Sequence, residues 1–223
     1  MKMFHFLKSM SRTVHEEHQE QVVEHKSDHH VGGPCTSSSL TVWRKSLLIS
    51  CNGFTVIDSK GNFVYRVDNY RGRPEEVTLM DGSGKPVHTM RRSKSTFRLV
   101  DSWVVYEGEL AGDHWRTSKS SKKPICSVRK HVNILHANPN NVLAHVFRGT
   151  SDKRYAYVIE GSYAHRSCKV LDESRKVVAE IKRKEAMKGG ISFGLDVFVL
   201  VVQPGFDPGF AMALVLLLDQ MFS

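Results

Sequence analysis

The chain lacks most of the features that would assign it a chemistry at once. Its 223 residues include only 4 cysteines, Cys35, Cys51, Cys126 and Cys168, and no two of them form a C-x-x-C pair. A disulfide scaffold and the commonest structural zinc sites are therefore excluded. The longest uninterrupted apolar run, Phe210 to Leu218, is nine residues, well short of the ~18 that a transmembrane helix needs. No G-x-S-x-G elbow, H-E-x-x-H, G-x-G-x-x-G or Walker loop is present. Gly82-Ser83-Gly84-Lys85 shares part of a phosphate loop's composition, but Pro86 leads into a strand pattern, and the stretch reads as a hairpin turn. No enzyme, metal centre or cofactor is expected on these grounds. The start, MKMFHFLKSM, is broken by His5 and Lys8 and makes no secretory signal; no Gly follows Met1 and no Cys lies near the C-terminus for lipidation. The expected location is intracellular, in the cytoplasm or nucleus, with peripheral attachment to the plasma membrane as a further option.

What the chain does have is positive charge, unevenly placed. The formal net charge is +9. Residues 1–39 hold four basic side chains (Lys2, Lys8, Arg12, Lys26) and five acidic ones (Glu16, Glu17, Glu20, Glu24, Asp28), a net of −1. The remaining 28 basic and 18 acidic residues give 40–223 a net of +10. The first segment also carries His5, His15, His18, His25, His29 and His30, and after Met10 it has few apolar residues. It buries too little to offset its ordering entropy and reads as a disordered tail. His25 and His29 would share a helix face at metal-compatible spacing, but nothing holds such a helix. The charge of these histidines rises as pH falls through about 6.5.

From Leu40 onward the apolar period is two. Residues 54–67, 77–92, 97–108 and 169–184 each read as a hairpin, with the third turning at Asp101-Ser102. Three of them align on an Asp: Asp58, Asp81 and Asp172 each follow an apolar residue and precede Val by six positions. Calcium loops would need more carboxylates at ligand spacing, so Asp serves here as a turn residue. Further strands are expected at 41–45, 125–130, 143–148, 155–160, 163–165 and 197–202. The total is about a dozen short antiparallel strands.

The C-terminus breaks the rhythm. Asp207 suits a helix N-cap and Pro208 the first helical position. Helical residues 208–221 would span roughly 21 Å at ~1.5 Å each, too short for a bilayer. Phe210, Met212, Leu214, Val215, Leu216, Leu217 and Leu218 leave no polar face, so the helix must be surrounded. A dozen-strand barrel has an interior its own side chains cannot fill. The expected fold is mainly β: a twelve-stranded antiparallel barrel of residues 40–223 around a central hydrophobic helix. A lipid-inserting or helix-partnering tail is the alternative.

An ordered series of motifs resembles a known family. Trp43-Arg44-Lys45 is followed by G-F-T-V-x-D-S-x-G-N (Gly53 to Asn62) and R-V-D-N-Y (Arg66 to Tyr70). Then come L-M-D-x-x-G-K-P (Leu79 to Pro86), Arg91-Arg92, W-x-V-Y-E-G (Trp103 to Gly108) and the apolar helix. Together, over about residues 40–221, these resemble the plant LURP-one-related family. The resemblance implies a Tubby C-terminal-like fold, shared with Tubby proteins and phospholipid scramblases. It also implies a non-enzymatic regulatory protein connected with pathogen response.

The basic clusters carry the functional expectation. Arg91, Arg92, Lys94 and Arg98 surround a hairpin link; Arg116, Lys119, Lys122 and Lys123 flank a Ser-rich loop; Lys182, Arg183, Lys184 and Lys188 end a strand. Tubby proteins bind phosphoinositide headgroups through a basic strand-and-link segment, and Arg91-Arg92-Ser93-Lys94-Ser95 looks like a shortened version. Arg91, Arg92 and Lys94 are the candidate headgroup site, and anionic membrane lipid is the candidate partner. The alternative is a protein-interaction scaffold in stress or defence signalling, with an unidentified protein partner and no lipid role. No helix-turn-helix, zinc finger or RNP-like signature supports sequence-specific nucleic-acid binding. A monomer is expected.

Overall fold

The computed structural model describes residues 37–48, 51–68, 75–93, 102–110, 123–132, 141–149, 152–185 and 193–223. Lys94, Arg98, the 116–122 loop, Lys188 and the histidines of the N-terminal segment lie outside them. Two units divide the chain, Met1–Pro34 and Cys35–Ser223; the second holds every element described below.

Twelve strands follow in chain order. They are β1 (Ser38–Trp43), β2 (Phe54–Asp58), β3 (Phe63–Val67), β4 (Glu76–Asp81), β5 (Pro86–Arg92) and β6 (Ser102–Glu107), then β7 (Cys126–Lys130), β8 (Val142–Phe147), β9 (Tyr157–Ser162), β10 (Ser167–Asp172), β11 (Val177–Arg183) and β12 (Val197–Val202). Each pairs antiparallel with its sequence neighbours, and β1 pairs with β12 to close the barrel. Closure leaves no strand edge to aggregate. Alternation directs one face inward: Phe198, Leu200 and Val202 of β12 meet Leu40 and Val42 of β1 across the seam.

Three details differ from the sequence expectation. β1 begins at Ser38, opposite Val202, so Ser38 and Ser39 belong to the barrel and not to the tail. Ser102 is a strand residue opposite Arg129, and Ser102–Glu107 forms one strand between β5 and β7; a turn at Asp101-Ser102 would deny it both neighbours. Tyr163–His165 is a turn between β9 and β10, closed by the Arg166 N–H donating to the Tyr163 carbonyl at 3.0 Å, with Arg166 at φ 53°. The alternation there is local coincidence: Tyr163 is buried to reach a helix side chain, not a sheet neighbour.

The three aligned Asp residues build the same turn. The Oδ1 of Asp58 accepts from the N–H groups of Lys60 and Asn62, both at 2.8 Å. That of Asp81 accepts from Ser83 and Lys85 at 2.9 Å, and that of Asp172 from Ser174 at 2.8 Å and Lys176 at 3.0 Å. A register shift marks each hairpin, and the residue three after each Asp has positive φ: Gly61, Gly84 and Arg175. This is a type I turn followed by a left-handed residue in a bulge. Glycine takes that conformation freely; Arg175 does not.

The single helix among the described residues, α1 (Pro208–Phe222), fills the barrel. The Phe210 N–H donates to Asp207 Oδ1 at 2.6 Å, capping its start. Met212, Leu214, Val215, Leu216, Leu217 and Leu218 are buried against the strands, and Phe210 is partly buried at the entrance. Fully burying each such side chain contributes about 1.5–3 kcal/mol.

Candidate functional site

Strand directions and register bring distant basic residues to one end of the barrel. β5 ends there with Arg91 and Arg92, and Arg92 faces Trp103 of β6. β7 ends there with Arg129 and Lys130, since Ser102 faces Arg129. β11 ends there with Lys182 and Arg183, facing Ser167 and Phe198. β1 ends there with Trp43 opposite Val197, leading to Arg44 and Lys45. Two clusters that the sequence separates by about ninety positions thus share a rim, and Arg129 and Lys130 lie between them.

The same rim holds the C-terminus of α1, where unpaired carbonyls and the helix dipole present negative charge. Lys130 Nζ donates to the Met221 carbonyl at 2.7 Å and sits over the Phe222 ring. Asp219 is 1% exposed. Its Oδ1 accepts from the Tyr163 hydroxyl at 3.0 Å and the Ser223 hydroxyl at 2.8 Å. Arg44, 37% exposed at its side chain, approaches Asp219 with Nε at 3.2 Å and Nη2 at 3.3 Å. Sequence reasoning missed this network, because nothing local to Asp219 marks its partners 56 and 175 positions away.

Of the expected headgroup residues, Arg91 is engaged. It faces Glu76 across the β4–β5 pair, and its Nε and Nη2 donate to Glu76 Oε2 at 2.9 and 2.6 Å. Such an exposed pair is worth about 0–1 kcal/mol, so a phosphate can compete for the guanidinium. The Arg92 N–H donates to the Glu75 carbonyl at 2.8 Å. Lys182 pairs with Glu180 on its own strand at 2.9 Å, and Lys184 donates to the Thr41 hydroxyl at 3.1 Å.

An apolar patch adjoins these cations. Trp43, Leu47, Leu48 and Leu195 are exposed, Leu47 by 57% and Leu48 by 46%. The Arg44 N–H donates to the Asp196 carbonyl at 2.8 Å, which ties the segment after β1 to the one before β12, so that Trp43 and Leu195 both lie on this rim. The Leu47-Leu48 pair in a polar loop was the available sequence signal.

Burial pushes the Cys126 and Cys168 thiols up to about 12, which removes them as nucleophiles at neutral pH. Burial and the neighbouring His131 hold His145 below the usual histidine value, so it favours the neutral form. Among the described residues no three His, Cys, Asp or Glu side chains converge on a metal-sized space, and no helix is long and apolar enough to cross a membrane.

A twelve-stranded barrel closed around an axial hydrophobic helix defines the Tubby C-terminal-like class. The LURP-one-related family profile matches residues 38–219. The Arabidopsis thaliana protein LURP-one-related 17 is 52% identical over 228 residues, covering 99% of this chain and all of that protein. LURP-one-related 8 from the same plant is 47% identical over 186 residues, 82% of this chain and 86% of the relative. An X-ray structure of an Arabidopsis thaliana protein superposes with a TM-score of 0.55 at 26% identity, covering 83% of this chain and 91% of that one. The chain belongs to the LURP-one-related family.

Proposed function

We propose that the chain is a non-enzymatic, defence-related binding protein that attaches to anionic phospholipid membranes by the rim around the C-terminus of α1. The observation that carries this reading is the juxtaposition of Trp43, Leu47, Leu48 and Leu195 with the Arg91–Arg92 and Lys182–Arg183 strand ends on one rim. Basic residues near an anionic leaflet contribute ~1 kcal/mol each. Exposed Trp and Leu add area-proportional binding once they enter the headgroup layer. Neither alone suffices for stable attachment; together they make the two-signal arrangement that peripheral proteins use.

Vesicle flotation tests it. The expected result is binding to phosphatidylcholine vesicles containing anionic phosphatidylserine or a phosphoinositide, and none to phosphatidylcholine alone. Salt at 0.5 M should release the protein, since it screens the surface field. Arg91→Ala with Arg92→Ala, and Lys182→Ala with Arg183→Ala, should each weaken binding, and Leu47→Ser with Leu48→Ser should weaken it at unchanged salt slope. Absence of binding at low salt refutes the membrane reading and leaves a protein-binding scaffold.

A further inference from the structure

The opposite end of the barrel, where α1 begins, holds a second feature. A cavity of about 510 Å³ opens there, lined by residues of β5 to β9 and of the segment leading into α1. That volume falls within the roughly 300–1,000 Å³ of small-molecule sites. One wall is aromatic. Tyr157 and Phe206 lie edge to face at 5.3 Å, Phe206 and Phe210 edge to face at 5.6 Å, and Tyr157 and Phe210 are 6.3 Å apart. All three rings are only partly buried, so ring surface remains for a ligand.

The charge of the cavity is opposite to that of the domain. Residues 40–223 carry a net of +10, yet two carboxylates, Glu107 and Asp207, line this space. The β5–β6 register sets Glu107 opposite His88. Asp207 is 64% exposed at its side chain, which leaves it open to a ligand. Its Oδ1 accepts from the Phe210 N–H at 2.6 Å, and among the described residues no Lys or Arg comes within ion-pair distance of it. The cation of the lining, Arg148, is held by Glu173 at 3.0 Å. Tyr65 registers the same field: burial first, then the Asp207 and Asp81 carboxylates, hold its phenol above the ordinary value.

This lining separates the classes of ligand. A metal ion needs several converging ligands, and no three His, Cys, Asp or Glu side chains converge among the described residues. An anion meets two carboxylates, and the helix N-terminus that would otherwise attract it is capped by Asp207. An uncharged ring gains the apolar contact alone. An ammonium ion on an apolar body gains more: the body covers the aromatic wall, the ring quadrupoles favour a nearby cation, and the carboxylates accept its N–H groups.

We infer that this cavity binds a small organic ammonium ion, its apolar body on the Tyr157–Phe206–Phe210 wall and its charge beside Asp207 and Glu107. Benzylammonium, benzyl alcohol and benzoate share a ring and differ in charge, and they are the probes. Titrating the full chain while following the ring NMR signals of Phe206 and Phe210 reads this cavity and not the basic rim. Benzylammonium should shift these signals at millimolar concentration, with benzyl alcohol about fivefold weaker and benzoate weaker still. Asp207→Asn retains a good helix N-cap, and Glu107→Gln retains the side chain's shape. The double variant should bring benzylammonium down to the level of benzyl alcohol and leave benzyl alcohol unchanged. Phe206→Ala, read at Phe210, should weaken both. Benzyl alcohol or benzoate binding as tightly as benzylammonium overturns the inference. So does a double variant that keeps the preference for the cation, a Phe206→Ala variant that binds as before, or the absence of any shift with benzylammonium. Should the Asp207 change prevent folding, Glu107→Gln alone must narrow the preference for benzylammonium, and an unchanged preference overturns the inference.

Discussion

Replacing Arg44 by Met removes the cation that faces the buried carboxylate of Asp219 while retaining the aliphatic stem. Asp219 then keeps its hydrogen bonds from the Tyr163 and Ser223 hydroxyls and loses the Arg44 guanidinium at 3.2 Å. Breaking a fully buried pair from one side costs about 3–5 kcal/mol. Arg44 is 37% exposed, so water screens part of the attraction, and the expected cost falls to about 2–4 kcal/mol. For a domain of this size each kcal/mol lowers Tm by about 2–4 °C, so Arg44→Met should melt about 5–15 °C lower. Asp219→Asn removes the charge and keeps the shape; Arg44 can then turn to water, and the cost should be about 1–3 kcal/mol. The double variant should cost less than the two single costs together, by about 1 kcal/mol or more, because the second substitution removes a charge the first left stranded. Urea unfolding followed by tryptophan fluorescence reads all three, since Trp103 is buried. Costs that add within 0.5 kcal/mol, with Arg44→Met below that figure, would refute the claim that this pair anchors the C-terminus of α1.

Other perturbations separate the remaining forces. Leu216→Ala, at a fully buried helix position, should cost about 2–5 kcal/mol in urea unfolding, and Leu216→Asp should yield no folded barrel by circular dichroism. Arg175→Gly removes left-handed backbone strain but also the two hydrogen bonds to Glu160; it should be neutral or stabilising, while Arg175→Ala, which keeps the strain, should lower the melting temperature. Turn hydrogen bonds hold the Asp58 and Asp81 carboxyls below the ordinary carboxylate value. With folded values below unfolded ones, their contribution is present above the unfolded pKa and lost as pH falls through the folded one. The double variant Asp58→Asn, Asp81→Asn should therefore lose less stability than the parent between pH 5 and 2 in thermal melts. In thiol titration at pH 8, Cys126 and Cys168 should react only after denaturant is added, whereas partly exposed Cys51 reacts in the folded barrel.

What was legible in the sequence is what local chemistry controls. Asp58, Asp81 and Asp172 announce their turns because the carboxylate bonds to N–H groups two and four residues on. Asp207-Pro208 announces the helix start for the same reason. The unbroken apolar run to Leu218 requires enclosure, and a dozen strands supply it. Partnership between distant positions was not legible. Nothing near Arg91 shows that Glu76 will stand opposite, since that follows from the β4–β5 register. Tyr163 alternates as a strand residue would, yet its hydroxyl is directed to Asp219 on α1. The apolar patch likewise depends on closure of β1 against β12, which brings Leu195 and Trp43 to the same rim.

Both ends of α1 are fastened, and this bears on how a membrane could be met. Asp207 caps the N-terminus, while Lys130 and Arg44 hold the C-terminus through Met221 and Asp219. Withdrawing the helix into water would break these contacts and expose Met212, Leu214, Val215, Leu216, Leu217 and Leu218, at a cost of about 9–18 kcal/mol by the burial value for such side chains. The strand faces left behind would expose as much again. A whole domain is stable by only about 5–15 kcal/mol, so expelling α1 amounts to unfolding the barrel. The membrane attachment proposed above would therefore use the closed barrel, through side chains already at the rim. A photo-crosslinking lipid should label the segments around Trp43, Leu47, Leu48 and Leu195 and spare 212–218; labelling inside α1 would show that the helix leaves its barrel and would overturn the rim as the site of contact.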